Sequence, residues 1–375
     1  MTTIFCRALT WISRVIAAAI CLAVAHGSAQ AQFVYVNNET FPNTVSAFRV
    51  NPDGSLAPVP GSPFATNDGK RANRLDGYSN ATIAVKGNFL FALNPTSDSV
   101  SVFTIQSNGA LTLVPGSPFP TGGQHPVALA VAPNGELLFI VHFLNNVLSV
   151  FRVSSGGQLT RAAGSPVSLR PMTFSSGLAI DSTGTRLFIG GFKKLGVYSV
   201  SAEGQVERLG DLIDTELSVQ AIAITPNNRF VYAVGQDAEG IGAFRFSNDQ
   251  LSPLAGAPFL DAGMGRLLGL AVNPAGDLLT TTSVGQAGVY LFRINANGSL
   301  RDAEGSPYSI AVTRPQPICF NTRGTLAFTT DPTIRKIRVL QVDRRTFVEI
   351  ASSPFDLGHA SARPTGIAVT GTRDP

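Results

Sequence analysis

A segment of about 48 residues recurs seven times along this chain of 375 residues. Its clearest marker is an apolar residue in the middle of a β-like strand, and successive markers are 55, 48, 47, 46, 48 and 48 residues apart. The markers are Phe48, Phe103, Phe151, Tyr198, Phe244, Phe292 and Leu340. A fixed period of this length is typical of folds that stack one supersecondary unit many times. The repeat therefore constrains the fold, and the single longer spacing marks an insertion.

Each repeat contains two units of the form strand, turn, strand. One is VSVFTIQSNGALTLVPGSPF, from Val100, and the other is PVALAVAPNGELLFIVH, from Pro126. Branched and aromatic residues on both sides of a turn that contains Gly or Asn predict a β-hairpin. No window of twelve or more residues has the periodicity and caps of a helix. We therefore predict four antiparallel strands in each repeat, named A to D from the inside outward.

Strand A carries a small residue at one fixed position of every repeat. The seven residues are Ala84, Ala130, Ala179, Ala223, Ala271, Cys319 and Ala368. Small side chains suit the crowded inner strands of a radial fold. Cys319 is then expected to replace alanine as a buried, inert thiol.

The strands predicted at the two ends of the chain distinguish a propeller from a sandwich or a solenoid. The chain after residue 31 begins with strands B, C and D, in FVYVNN, TVSAFRV and SLAPVPGSPF, and it ends with a lone strand A, RPTGIAV. Pairing of these ends would close a ring and remove exposed sheet edges. We predict an all-β, seven-bladed β-propeller over residues 32–375, with four-stranded antiparallel blades and one blade shared by both termini.

The first 31 residues have the pattern of a signal peptide. Arg7 and Arg14 precede the apolar run VIAAAICLAVA, and Ala29, Gln30 and Ala31 form an A-x-A cleavage site. The run of 11 residues is shorter than the roughly 20 residues of a membrane-spanning helix. We expect secretion, to the periplasm or the extracellular space, with a mature chain starting near Gln32 and no membrane association afterwards.

Removal of that leader simplifies the composition. It takes away Cys6 and Cys21, so Cys319 remains alone and no internal disulfide can form. It also takes two of the 28 basic residues, which leaves 26 against 24 acidic ones. A charge so near balance does not favour a nucleic-acid partner. We expect a monomer.

The chain resembles the β-propeller lactonase family over essentially its whole mature length. The resemblance rests on FVYVNN followed by TVSAFRV, similar to YVTN-type repeats, and on the recurring strand A unit x-P-x-x-x-A-V-x-P-x-G. It implies a propeller fold and an activity like that of 6-phosphogluconolactonases or carboxymuconate-lactonising enzymes. Three sites differ from the 6-phosphogluconolactonase pattern: His125-Pro126 is inverted, SVQAIAI replaces a G-P-R-H motif, and Gly235-Gln236 replaces a glutamate.

Two sets of equivalent positions are expected to surround one mouth of the channel. The first, the strand A ring, lies four residues before the Ile or Leu of each strand A: Arg363, Ser79, His125, Phe174, Ser218, Arg266 and Arg314. The second, the strand B ring, lies at the end of each strand B: Asn38, Asn94, His142, Gly191, Gly235, Thr282 and Asp331. Three arginines from adjacent blades suit a planar anion, because guanidinium groups bind carboxylate or phosphate in a fork. Solvated loop arginines are the open alternative.

The remaining candidates come from the same face. A lactone hydrolase needs a base for water and a cation for the developing oxyanion, so His125 or His142 is a candidate base. We expect Arg266, Arg314 and Arg363 to bind the substrate, with Asn38, Asn94, Asp331 and His359 near them, although both asparagines match the family repeat and also suit caps of the B-to-C turn. An insertion, TNDGKRANRLDGYSN, falls on this face as a lid or a plain loop.

Other chemistries lack sequence support. No HExxH motif, paired cysteines or calcium loop appears, and we expect no metal and no cofactor. There is no G-x-S-x-G nucleophile motif, and the recurrent Gly-Ser-Pro triplets are expected to be structural. Two functions stay open: hydrolysis of a small carboxylated or phosphorylated lactone, and non-catalytic binding of a small anion or a protein partner.

Overall fold

The computed structural model describes residues 31–40, 42–68, 81–235, 240–260, 264–284, 288–310, 317–343 and 345–371. These residues form seven antiparallel sheets, and all seven lie in one compact unit, Gln32–Gly371. Each strand A contacts strand A of both neighbouring blades, and these contacts close a ring. The predicted seven-bladed β-propeller is confirmed. The predicted signal peptide lies outside the described residues except for Ala31.

Every blade has the predicted order A-B-C-D. For blades I to VII, strand A spans Pro364–Val369, Ile83–Lys86, Pro126–Val131, Gly177–Ile180, Val219–Ile224, Leu267–Val272 and Ile318–Phe320. Strand B spans Gln32–Asn38, Phe89–Asn94, Leu137–His142, Arg186–Gly191, Phe230–Gly235, Leu278–Ser283 and Leu326–Asp331. Strand C spans Thr44–Val50, Ser99–Ile105, Val147–Val153, Lys194–Val200, Gly242–Ser247, Gly288–Ile294 and Lys336–Asp343.

Strand D is short and in five blades is followed by a second segment on the same strand C. Strand D spans Leu56–Pro58, Leu111–Leu113, Leu159–Arg161, Val206–Asp214, Gln250–Pro253, Leu300–Asp302 and Thr346–Glu349. The second segments, in blades I, II, III, VI and VII, are Phe64–Ala65, Phe119–Pro120, Val167–Ser168, Tyr308–Ser309 and Phe355–Asp356. One 3₁₀ turn, Pro95–Ser97, is the sole helical element among the described residues.

The Gly-Ser-Pro triplets lie between these two segments and have a structural role, as expected. In blade I the backbone N–H of Ala47 in strand C donates to the Ser62 hydroxyl at 2.9 Å, and Ser62 precedes a cis proline. The same bond recurs in blades II, III, VI and VII, at Ser117, Ser165, Ser306 and Ser353. The serine therefore satisfies a strand C donor where strand D is interrupted.

The two ends of the chain close the ring in one blade. Strand A of blade I pairs antiparallel with the first strand of the chain, with Ala368 opposite Tyr35 and Ile367 opposite Val36. Ile367 also belongs to the apolar cluster between blades VII and I. The predicted closure by strands from both termini is confirmed.

The hydrophobic core is divided among the seven spaces between blades. Each buried cluster combines residues of two adjacent blades, for example Phe139 and Val150 of blade III with Leu187 and Tyr198 of blade IV. The small residue of strand A faces strand B, where it meets an aromatic residue in six blades and Thr280 in blade VI. Cys319 is partly buried where a fully buried thiol was expected. Desolvation still raises the pKa of its thiol to about 12, which agrees with an unreactive alanine substitute.

The C-to-D turn of a blade locks against strand B of the blade before it. Gly109 has φ +86°, and a Cβ there would lie 2.3 Å from the Phe33 ring, while the Tyr35 hydroxyl donates to the Gly109 carbonyl at 2.9 Å. Blade V has Asp249 in this turn instead, also with positive φ, and it accepts a bidentate bond from Arg186 of blade IV. These contacts lie on the face opposite the predicted site.

Candidate functional site

The strand pairing places both predicted rings on one face. Strand A begins where strand B ends, since Pro126 is paired with His142 and Pro364 with Asn38. The register is the same in all seven blades. In blade III, for example, Leu129 lies four residues after His125 and pairs with Ile140, which lies two residues before the end of strand B. The predicted equivalence of the strand A ring positions is thus confirmed, and their role at a site stays a prediction.

The strand B ring needs one correction. In blade VI the position equivalent to His142 is Ser283, because strand B ends there and Leu270 pairs with Thr281. Thr282 lies one residue earlier, and its hydroxyl accepts the N–H of Gly269 at 2.8 Å. The run of Thr and Ser in this strand offers no sequence landmark, and the prediction of Thr282 was wrong by one position.

His125 is held by a short loop that bridges blades II and III. The Asp98 carboxylate accepts the backbone N–H of His125 at 2.7 Å, and the Asp98 carbonyl accepts both the N–H and the hydroxyl of Thr121. On the other side, the N–H of Phe143 donates to the His125 carbonyl at 3.0 Å. The loop 121–125 is therefore fixed at both edges.

The imidazole of His125 is neutral at neutral pH. It is 7% exposed, and burial lowers its pKa, with Asp98 opposing that shift. Its Nε2 atom is buried and has no hydrogen-bond partner among the described residues, and its ring lies edge-on to Phe143 at 6.3 Å. His125 is also a non-glycine residue with φ +56°. A buried, unprotonated imidazole in a sparsely populated backbone conformation is a reasonable candidate for a functional group.

His142 lies beneath the same loop and has no accessible surface. A Cβ on Gly123 would lie 2.3 Å from its ring, so only glycine fits above it. Burial lowers the pKa of His142 to about 4, and Arg161 and His125 act in the same direction. Its Nδ1 atom is 3.2 Å from the carbonyl of Val147. Direct contact with a substrate would require the loop 121–125 to move away.

Neither Asp98 nor Arg161 was among the residues selected from the sequence. The Arg161 guanidinium lies beside Gly122 and over the Phe151 ring, at 5.5 Å from its centroid. No motif marks either residue, because Asp98 binds the backbone of His125 from the neighbouring blade and Arg161 acts on His142 electrostatically from another strand of the same blade. Asp98 has a positive φ of 52° at the B-to-C turn, a conformation that aspartate adopts more readily than most residues.

The predicted anion-binding residues are placed unevenly. Arg266 and Arg363 are exposed at the mouth, and their carbonyls accept the N–H groups of Val284 and Glu39, which anchors the backbone of both. Arg314 lies outside the described residues, as does the greater part of the insertion, 69–80. Two side chains of the predicted crescent therefore face solvent.

The two asparagines hold turns instead of lining the mouth. Asn38 donates to Ser46 at 2.8 Å and Asn94 to Ser101 at 2.9 Å, and neither asparagine has accessible surface. Each serine hydroxyl then donates to a carbonyl of the preceding blade-to-blade loop, at Leu357 and Thr66. This geometry does not support a place for the two asparagines among the substrate-binding residues. It does support their expected role as caps of the B-to-C turn.

Asp331 and His359 complete the predicted set. Asp331 is buried at the end of strand B in blade VII, with Oδ1 accepting the N–H of Thr333 at 2.8 Å, and its Oδ2 has no partner within the described part of the chain. His359 is partly exposed, and its Nδ1 accepts the N–H of Ser361 at 3.2 Å. Both lie on the mouth face, Asp331 within blade VII and His359 in the loop from blade VII to strand A of blade I.

Two further features concern metals and membranes. Among the described side chains, no group of three or more His, Cys, Asp or Glu is arranged to hold a metal ion. In the same residues, no helix has the length and apolar character to cross a bilayer.

Comparison with known proteins gives a consistent family. The sequence profile described as "Lactonase, 7-bladed beta-propeller" matches residues 25–175 and 186–341. No curated protein matches the chain. A periplasmic gluconolactonase of Pseudomonas aeruginosa is similar in structure, with a TM-score of 0.72, 17% identity, and coverage of 92% of this chain and 100% of that one.

Other solved structures share the fold at similar identity. A Bacteroides fragilis protein provisionally assigned as a 6-phosphogluconolactonase has a TM-score of 0.72 and 15% identity, over 92% of this chain and 99% of that one. Hydrazine synthase of Kuenenia stuttgartiensis has a TM-score of 0.55 and 15% identity, over 72% and 79% of the two chains. Similarity at this identity shows the fold, and the fold alone does not decide the chemistry.

Proposed function

Because this chain belongs to the family of seven-bladed β-propeller lactonases, we propose that it hydrolyses a small anionic lactone at the mouth bounded by the strand A ring. The observation that carries the proposal is the asymmetry of that ring. Exposed Arg266 and Arg363 occupy blades VI and I, while the neutral imidazole of His125 occupies blade III. A cation and a candidate base thus occupy equivalent positions around one opening, and acyl transfer to water uses both kinds of group.

The proposed reaction is simple ester hydrolysis. Water attacks the lactone carbonyl carbon while His125 accepts its proton, and a tetrahedral oxyanion forms. The bond between the carbonyl carbon and the ring oxygen then breaks, and the proton on His125 passes to that oxygen. The product is one hydroxy acid, whose new carboxyl group ionises at neutral pH. Arg266, Arg314 and Arg363 hold the carboxylate or phosphate of the substrate.

The test compares turnover of a lactone panel by the wild-type protein and by three variants. His125→Ala and Arg363→Ala are each expected to lower kcat/KM by about 10²-fold or more, in line with loss of a base or of an anion contact. Arg301→Ala is the matched control, since Arg301 is an exposed arginine on the outer strand of blade VI. Equal rates in all four proteins would refute the site, and no turnover of any lactone would refute the activity.

A non-catalytic binding function has one observation in its favour. His142 is fully enclosed and His125 is almost so, which leaves little imidazole surface for a reacting water. If this alternative holds, sugar acids or phosphates will raise the melting temperature without being consumed. The Arg363→Ala variant would then lose the shift, because a cation contact carries the binding.

We also propose that the protein is exported. The basic residues, the apolar run and the A-x-A site of residues 1–31 support this, as does the periplasmic location of one structural relative. N-terminal sequencing of the protein from cell fractions checks it. A mature terminus at Gln32 in the periplasm or medium is expected, and an intact Met1 in the cytoplasm would contradict it.

A further inference from the structure

Large exposed hydrophobic side chains are concentrated on the mouth face. Among the described residues, six such side chains are prominent: Leu144, Phe174, Phe192, Leu260, Ile334 and Val348. The first five lie in B-to-C turns or D-to-A loops, on the face where each strand A begins, and Val348 alone lies on an outer strand D. Isolated exposed apolar residues are ordinary, but a cluster on one functional face marks a binding surface.

Two of these exposed side chains, Phe174 and Phe192, form a continuous row with the buried Phe143 over blades III and IV. We define the aromatic row as Phe143, Phe174 and Phe192. The ring centroids of Phe143 and Phe174 are 5.2 Å apart, and those of Phe174 and Phe192 are 6.3 Å apart in an edge-on arrangement. Phe174 is 52% exposed and Phe192 is 48% exposed, so the row presents aromatic surface to solvent.

The requirements of the fold do not explain why the central residue of the aromatic row, Phe174, is a phenylalanine. Phe174 has φ +50°, a conformation that bulky residues rarely adopt, and it is more than half exposed. Neither core packing nor backbone preference therefore favours phenylalanine at this position. Strained residues of this kind concentrate at ligand sites, where the strain is part of function.

The row lies across the mouth from an arginine. Phe174 is itself the blade IV member of the strand A ring, and Arg363 is the blade I member. Because the seven strands A form a closed circle, blade IV is opposite the boundary between blades VII and I. His125 in blade III lies beside the row, with its ring edge-on to Phe143. The mouth thus has an apolar side, formed by the aromatic row, and a cationic side. The imidazole of His125 lies near the apolar side.

We propose that the substrate is an amphiphilic lactone, with a carboxylate or phosphate bound on the arginine side and an aryl or acyl substituent bound on the aromatic row. This inference rests on the proposed lactonase function and specifies its substrate class. Burial of an apolar group against aromatic faces supplies affinity, while the anion fixes orientation. A purely hydrophilic sugar lactone would leave the row exposed.

The experiment uses two carboxylated γ-lactones that differ by one phenyl substituent. The wild-type protein is expected to hydrolyse the phenyl compound with at least a tenfold higher kcat/KM, which is the usual value of a small apolar group in a hydrophobic site. Phe174→Ala and Phe192→Ala should each remove most of that preference by lowering kcat/KM for the phenyl compound. Val348→Ala, an exposed hydrophobic residue away from the mouth, is the matched control and should keep the preference.

Binding of the two ring-opened hydroxy acids, measured by calorimetry, separates this inference from the activity on which it rests. If neither lactone is turned over but the phenyl hydroxy acid binds tenfold tighter in a Phe174-dependent way, the aromatic site stands and hydrolysis fails. Phe174→Gly, which suits the left-handed backbone, guards against loss of folding. Equal affinity for both acids, or an equal loss in Phe174→Ala and Val348→Ala, would overturn the proposal.

Discussion

Closure of the ring by strand A of blade I predicts that the C-terminus is indispensable. Deletion of residues 363–375 removes the partner of the first strand of the chain over five residue pairs. It also exposes the apolar surface that Ile367 and Ala368 now cover on both neighbouring blades. The truncated protein is expected to unfold or aggregate.

The loss in free energy of unfolding follows from the contacts that the deletion removes. Ile367 is 8% exposed, and removal of a buried isoleucine alone costs about 2–5 kcal/mol. Five unpaired positions in the ladder add about 5 kcal/mol, at roughly 1 kcal/mol for each hydrogen bond. The sum approaches the entire 5–15 kcal/mol that typically separates a folded domain from its unfolded state, as an order of magnitude.

The assay is thermal unfolding together with size-exclusion chromatography. A chain ending at Gly371 is the control, because it retains the whole strand and is expected to behave as the wild type. A synthetic peptide of residues 363–371 should restore the monomer when added to the truncated chain during refolding. A truncated protein that stays monomeric with an unchanged melting temperature would refute the closure.

Two further predictions concern packing and pH. Gly109→Ala should lower the free energy of unfolding, measured by urea titration, by about 2 kcal/mol more than Gly164→Ala does. Both glycines have positive φ, but only at Gly109 would a Cβ lie 2.3 Å from the Phe33 ring. Equal losses in the two variants would contradict the interlock between blades. The pKa of His142 is about 4 in the folded protein and about 6.5 when unfolded, so the unfolded state binds more protons between these values and stability should fall as pH drops from 6.5 to 4, by at most about 3 kcal/mol. His142→Asn should reduce this acid sensitivity, and an unchanged pH profile of the melting temperature would show that His142 is not buried as described.

Much of the fold follows from periodicity. The repeat length, the four strands and the complementary termini predict a closed propeller, and the small residue of strand A predicts the crowded inner strands. The register of one strand did not follow, because Thr280 to Ser283 are similar polar residues and lack a landmark such as the Asn or His that ends strand B in blades I, II and III. Similar side chains in succession leave a shift of one residue undetermined.

The site was only partly predictable. Spacing placed His125, Phe174 and Arg266 at equivalent positions of one mouth, but not their surroundings. Burial of a histidine depends on the loops that connect blades, such as the loop whose Gly123 lies against His142. The aromatic row was missed because its members come from two turns and a loop, and only the folded chain brings their rings within 5.2 to 6.3 Å of one another.

The most direct test of the central claim is a crystal structure of residues 32–375 with the ring-opened acid of a phenyl-substituted, carboxylated lactone. We expect a carboxylate about 3 Å from the guanidinium of Arg363 and the phenyl group against Phe174. A ligand bound on the opposite face, or one that touches neither residue, would contradict the account.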